Sequence, residues 1–130
     1  MSKFTAITGI FGFLGVMLGA FGAHGLEDHL SHDGQIENWR TATLYLFVHT
    51  LALFILSTKA EGACSKSFVK IAWLWTFGIL IFSGSLYILA ITGISKLGMI
   101  TPIGGICFLL GWILLAWSGF RSGRVTIENS

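Results

Sequence analysis

From Phe4 to Ala23 the chain carries no charged side chain, and three further apolar stretches follow at about 41–58, 68–92 and 100–118. A helix rising 1.5 Å per residue needs about 20 such residues to cross a hydrocarbon core about 30 Å thick. Four runs of this kind predict an all-α integral membrane protein, a four-helix transmembrane bundle forming a single membrane domain over 1–130. Composition supports the same reading. With 54% apolar and 11% charged residues and a mean hydropathy of +0.80, there is too little charged surface to coat a soluble globule of 130 residues.

The span limits follow from local chemistry. Lys70, near the start of the third run, can reach the headgroups on its flexible stem. Gly93 is expected to end that span, and Thr101 to act as an N-cap for the fourth, with Pro102, the single proline, where its missing N–H is harmless. Short loops after the second and third spans make sequential neighbours the simplest arrangement, up-down-up-down. Sorting cations by side puts Lys3, Lys59, Lys66, Lys70, Arg121 and Arg124 with the two termini, against Arg40 and Lys96 opposite. The excess of Lys and Arg then places both termini in the cytoplasm of a multi-pass plasma-membrane protein. Trp39 near one face, and Trp73, Trp75 and Trp117 near the other, fit interfacial aromatic belts. A cleaved leader is the alternative for residues 4–23, with Lys3 as its basic region and residues 20–23 resembling a cleavage site, but the apolar run exceeds the usual leader core.

Lipid tails are as apolar as leucine, so helices associate in a bilayer by close backbone approach. Gly9, Gly12, Gly15, Gly19 and Gly22 fall within about 140° of one another on the first span. They form one smooth face, on which Gly12, Gly15 and Gly19 are the expected packing positions. Gly78 and Ser85 on the third span, and Gly104 and Gly111 on the fourth, repeat the pattern at intervals of seven.

Few residues can carry chemistry. An ionisable group at membrane depth must find a partner, which singles out His49 on the second span. Tyr45 lies one turn before it, and Ser83 and Ser85 on the third span lie at a compatible depth. The bland role for His49 is a neutral imidazole bonding one helix to another; the functional one is a proton relay or ligand contact, although no carboxylate shares its depth. In the first external loop, His24, Glu27, Asp28, His29, His32 and Asp33 come within reach of one another if the segment turns helically. Spacing of four would put His24, Asp28 and His32 on one face as a candidate metal site, yet the spacing matches no zinc signature. Glu37, Trp39 and Arg40 suggest that the second helix begins on the membrane surface. Cys64, in a polar loop, and Cys107, about 15 Å deeper along a helix, cannot meet in a disulfide and are expected as free thiols. No nucleotide loop, nucleophile–base pair or dinucleotide motif is present, so no cofactor is expected. A net charge of +2 gives no electrostatic claim on nucleic acid.

Four ordered blocks resemble a known family. They are the run Gly19 to Leu26 (Gly-Ala-Phe-Gly-Ala-His-Gly-Leu); Trp39-Arg-Thr-Ala42 with Tyr45 and His49; Phe82-Ser-Gly-Ser-Leu-Tyr87; and Ile100-Thr-Pro-Ile-Gly-Gly105 with Gly111 and Trp112. As a set they are similar to the domain of unknown function 423 family, over nearly the whole chain. The resemblance implies a small multi-spanning protein of bacterial plasma membranes, with relatives in eukaryotes and no established activity or cofactor.

Smooth glycine faces, short loops and the lack of a catalytic constellation point to a non-enzymatic bundle. The expected partners are membrane lipids, a second copy of the chain or another membrane protein. The alternative is a small channel or carrier whose polar path passes His49, Ser83 and Ser85. A metal-dependent membrane enzyme using the external histidines is a third, weaker option.

Overall fold

The computed structural model describes residues 2–32, 34–59 and 66–128. Asp33 of the external loop and the thiol of Cys64 lie outside the described residues, whereas Cys107 is a free cysteine. The described residues are 95% helical, with no strand among them. In order it forms α1 (Ser2–Ala20), which runs into a π-helical turn (Phe21–Gly25); α2 (Glu27–His32); α3 (Ile36–Lys59); α4 (Lys66–Gly78), joined through a second π turn (Ile79–Ser83) to α5 (Gly84–Thr92); a 3₁₀ turn (Ser95–Met99); and α6 (Thr101–Glu128). Four stretches, Lys3–Gly25, Ile36–Lys59, Lys66–Thr92 and Ser95–Arg124, are long and apolar enough to cross a membrane, with mean hydropathies from 1.6 to 2.1.

The element ends have local causes. Gly93 sits at φ 68°, and its N–H returns to the Leu89 carbonyl at 2.7 Å, closing α5 with the left-handed residue that only glycine adopts freely. Gly34, at φ 67°, reverses the chain between α2 and α3. Thr101 departs from its expected capping role. It is already the first residue of α6, and its hydroxyl turns to the neighbouring helix, 2.7 Å from Ser85 Oγ. Pro102 occupies the first turn, and α6 continues well past Ser118.

Neighbours in the chain are neighbours in space. Thr5 meets Ser57, Gly15 faces Phe47, and Trp39 Nε1 donates to the Leu18 carbonyl, so partners ascend in α1 as they descend in α3, the register of an antiparallel pair. The same descent links α3 to the α4–α5 rod through Trp39–Tyr87, Tyr45–Phe82 and His49–Trp75, and that rod to α6 through Ser85–Thr101 and Gly78–Phe108. The rod is the most buried of the four stretches, while the α1 and α6 stretches are the least buried. Ile106, Leu109, Ile113 and Phe120 of α6, like Ile10, Phe13 and Val16 of α1, face outward, an apolar exterior suited to hydrocarbon.

The second π turn divides the work of its rod. A π turn holds more residues than an α turn, and one residue re-aims everything beyond it by about 100°. Below the turn α4 packs mainly on α6; above it α5 packs on α3. The turn touches both neighbours, with Ser83 Oγ donating to the Ala42 carbonyl at 2.8 Å and the Phe82 backbone lying against Gly104.

The glycine face of α1 splits in two. A Cβ at Gly15 would lie 2.9 Å from the Phe47 ring, one at Gly19 would touch Thr43 at 3.7 Å, and one at Gly22 would strike Trp39. Gly9 and Gly12 face open space, so the close approach runs through Gly15, Gly19 and Gly22 and leaves Gly12 outside it. Two tryptophans expected at the interfaces are interior: Trp39 is 4% exposed and Trp75 1%, whereas Trp117 faces outward.

Candidate functional site

The polar centre of the bundle is built around His49 on α3, which is 3% exposed. Its Nδ1 lies 2.9 Å from the Tyr45 carbonyl one turn back, and Trp112 Nε1 of α6 donates to its Nε2 at 3.0 Å. A carbonyl can only accept and an indole N–H can only donate, so this pairing requires the neutral imidazole with its proton on Nδ1. The ring lies flat on Phe108, with centroids 3.6 Å apart and planes 11° apart. Tyr45 contributes its backbone oxygen to this bond, while its ring packs against Phe82 at 4.6 Å. Tyr45, His49, Phe82, Phe108 and Trp112 line one side of an outward-facing groove of about 460 Å³.

Ser83 and Ser85, expected beside His49, are engaged elsewhere. Ser83 donates to Ala42 O; the Ser85 and Thr101 hydroxyls meet at 2.7 Å, and each also reaches a carbonyl of its own chain segment, Phe82 O at 3.0 Å and Leu97 O at 3.4 Å. Thr43 donates to Trp39 O at 3.0 Å and so accepts from the Tyr87 hydroxyl at 2.7 Å. These hydroxyls tie helix to helix and do not form a file leading to His49. Among the described residues, Thr50 Oγ1 and Trp75 Nε1 are the buried side-chain atoms with no partner. An interhelical hydroxyl pair in a membrane contributes about 0.6 kcal/mol. A double-mutant cycle of Ser85→Ala and Thr101→Val should return a coupling of that size in SDS-induced unfolding, and a coupling of zero would remove the bond from the account.

Sequence reasoning missed Trp112 as the partner of His49. The available signal was chemical: an indole N–H at membrane depth needs an acceptor, and a neutral imidazole supplies one.

The external candidates do not converge. His24 ends in the π turn, Leu26 leaves helical geometry at φ −115°, ψ 3°, and Asp28 and His32 belong to the separate helix α2. That break destroys the spacing of four on which a shared face depended. Among the described residues, no three His, Cys, Asp or Glu side chains are grouped as a metal site would need. His29 Nε2 lies 3.3 Å from the Ile91 carbonyl, linking this segment to the end of α5. Arg40 and Glu37 form an exposed pair at 3.2 Å.

Toward the end of the bundle where α3 finishes and α4 starts, a second cavity of about 390 Å³ opens between α3, α4 and α6, walled by Leu56, Trp75, Trp112 and Leu115 and bordered by Lys59 and Ser118.

Comparison with known proteins places these features in a lineage. Residues 18–105 match the model of a family described as protein of unknown function (DUF423). The chain is 44% identical over 116 residues to the UPF0382 membrane protein YwdK of Bacillus subtilis, covering 88% of this chain and 94% of that protein. It is 43% identical over 121 residues to a UPF0382 membrane protein of Staphylococcus aureus, covering 93% and 98% respectively. A UPF0382 membrane protein of Haemophilus influenzae is 39% identical over 123 residues, covering 93% and 96%. No solved structure matches. The matched region contains the Trp39–Tyr45–His49 segment, both π turns and the Gly104 contact, and the chain belongs to the DUF423 family of membrane proteins.

Proposed function

We propose that this chain is a non-enzymatic four-span bundle of the plasma membrane that binds lipid or another membrane protein. The observation that carries this reading is the contrast between its polar and apolar groups. His49, Ser83, Ser85, Thr101 and Tyr87 are bonded to one another's helices, while the two clefts beside α6 and the outer faces are mainly apolar and open; the polar pocket at Glu27 and Arg40 lies at the external end, away from His49. A reaction centre or an aqueous path would need polar groups directed into a shared space. The antiparallel registers support an up-down-up-down course, and the Lys and Arg residues near the chain ends favour both termini in the cytoplasm.

Purified in mild detergent, the chain should retain phospholipid, a second copy or an identified membrane protein in native mass spectra. Repeated spectra of bare monomer would sink the reading. Tags at the two ends should both be reached by impermeant reagents in inverted vesicles and be shielded in intact cells. Labelling of the ends from opposite sides would overturn the proposed course.

A further inference from the structure

The cleft between α3, α4 and α6 has a depth and a charge pattern that narrow its occupant. Trp75 and Trp112 lie at its inner end, and Lys59 and Ser118 at its polar end. From Ser122, at the outer limit, to Trp112 the α6 backbone rises about 15 Å at 1.5 Å per residue. That is half of a hydrocarbon core about 30 Å thick, the depth of one leaflet. Beyond it, the Phe108 stack and the Trp112 bond at His49 bridge α3 and α6. A separate groove at Tyr45 and His49 continues beyond Trp112, so the occupant is chosen by the match of the cleft's own depth to one leaflet and by the charge at its mouth. Its walls are almost wholly apolar, which suits a hydrocarbon chain.

Lys59 is the cation that lines the cleft, and the end of the bundle around it is basic. Lys59 ends α3, Lys66 and Lys70 open α4, and Arg121 and Arg124 lie near the end of α6; Glu128, farther along α6, is the carboxylate on this side among the described residues. Basic pockets between spans on the cytoplasmic side are sites for anionic headgroups.

Building on the lipid-binding reading above, we infer that the cleft holds one acyl chain of an anionic phospholipid from the leaflet facing the basic end. The phosphate lies at Lys59 with the Ser118 hydroxyl beside it, and the tail runs inward to Trp75 and Trp112. The occupant is a lipid and not a free phosphate, because the cleft recognises the tail as well as the charge.

Gly119 offers a clean test, since it lines the cleft and a Cβ there meets nothing within 4 Å. Gly119→Leu fills the space without a clash and improves helix propensity. The full chain and its variants would be exchanged into micelles carrying equal phosphatidylglycerol and phosphatidylcholine, and bound lipid read by native mass spectrometry. The wild type should retain phosphatidylglycerol in preference, and excess inorganic phosphate should not displace it. Lys59→Gln should cut that preference about fivefold, and Gly119→Leu should empty the site of both lipids while unfolding in SDS no earlier than wild type. Lipid retained unchanged by both substitutions, absence of headgroup preference, or displacement by inorganic phosphate would overturn the cleft assignment and leave lipid binding elsewhere intact. A wild type that holds neither lipid nor partner would remove the broader reading as well.

Discussion

Gly104→Ala should destabilise the folded chain by about 3 kcal/mol, at the upper end of what overpacking a tight interior costs. A Cβ at this position would sit 2.5 Å from the Phe82 nitrogen and 2.9 Å from its Cα. Backbone cannot rotate aside as a side chain can, so α6 must move away from the α4–α5 rod. That movement loosens Gly78, where a Cβ would already lie 2.6 Å from the Phe108 ring, and lengthens the 2.7 Å Ser85–Thr101 bond. Gly12→Ala is the matched control, because nothing lies within 4 Å of a Cβ there. Its expected effect is neutral or stabilising by up to about 1 kcal/mol through helix propensity. SDS-induced unfolding of the two variants should separate them clearly, and equal effects would mean that the α4–α6 approach is looser than described.

His49→Ala should cost a similar amount, about 3 kcal/mol, for a different reason: truncation leaves a void against Phe108 and strands the Trp112 N–H away from water. Trp112→Phe keeps an aromatic ring and removes only the donor, so it should cost about 1 kcal/mol. The two changes share one hydrogen bond, and a double-mutant cycle should therefore fall short of additivity by roughly that bond. His49→Gln offers an acceptor near the lost Nε2 and should recover part of the stability. Strict additivity, or a Trp112→Phe variant indistinguishable from wild type, would break the link between α3 and α6 that organises the centre of the bundle.

The spans were legible because hydrocarbon constrains length and charge so strongly that Phe4 to Ala23 admits few other readings. Gly93 was legible as a terminator because a left-handed residue is a local event. What the letters concealed was azimuth. Ser83 and Ser85 were placed at a depth compatible with His49, but depth does not say which way a side chain points, and the π turn at Ile79–Ser83 re-aims that rod. His24, Asp28 and His32 were aligned by counting fours along an α-helix, and the π turn at Phe21–Gly25 with Leu26 beyond it breaks the count. Trp39 and Trp75 were assigned to the interfaces on depth alone, and the glycines facing them, Gly22 and Gly111, draw both rings inward. The face that a residue presents depends on the number of residues per turn, and neither π turn announces itself in composition.

The wider turn at Ile79–Ser83 lets the third crossing carry one extra residue. Deleting Leu80 would let the rod close into an uninterrupted α-helix of nearly the same length and apolarity, still able to cross the bilayer. Because the wide turn is what absorbs the extra residue, the rod's far half would stay in phase, with Ser85 still at Thr101 and Tyr87 still at Thr43. A lineage could thus shed one residue at that turn and keep both seams, whereas a loss that the turn did not absorb would rotate the far half by about 100° and throw both out of step.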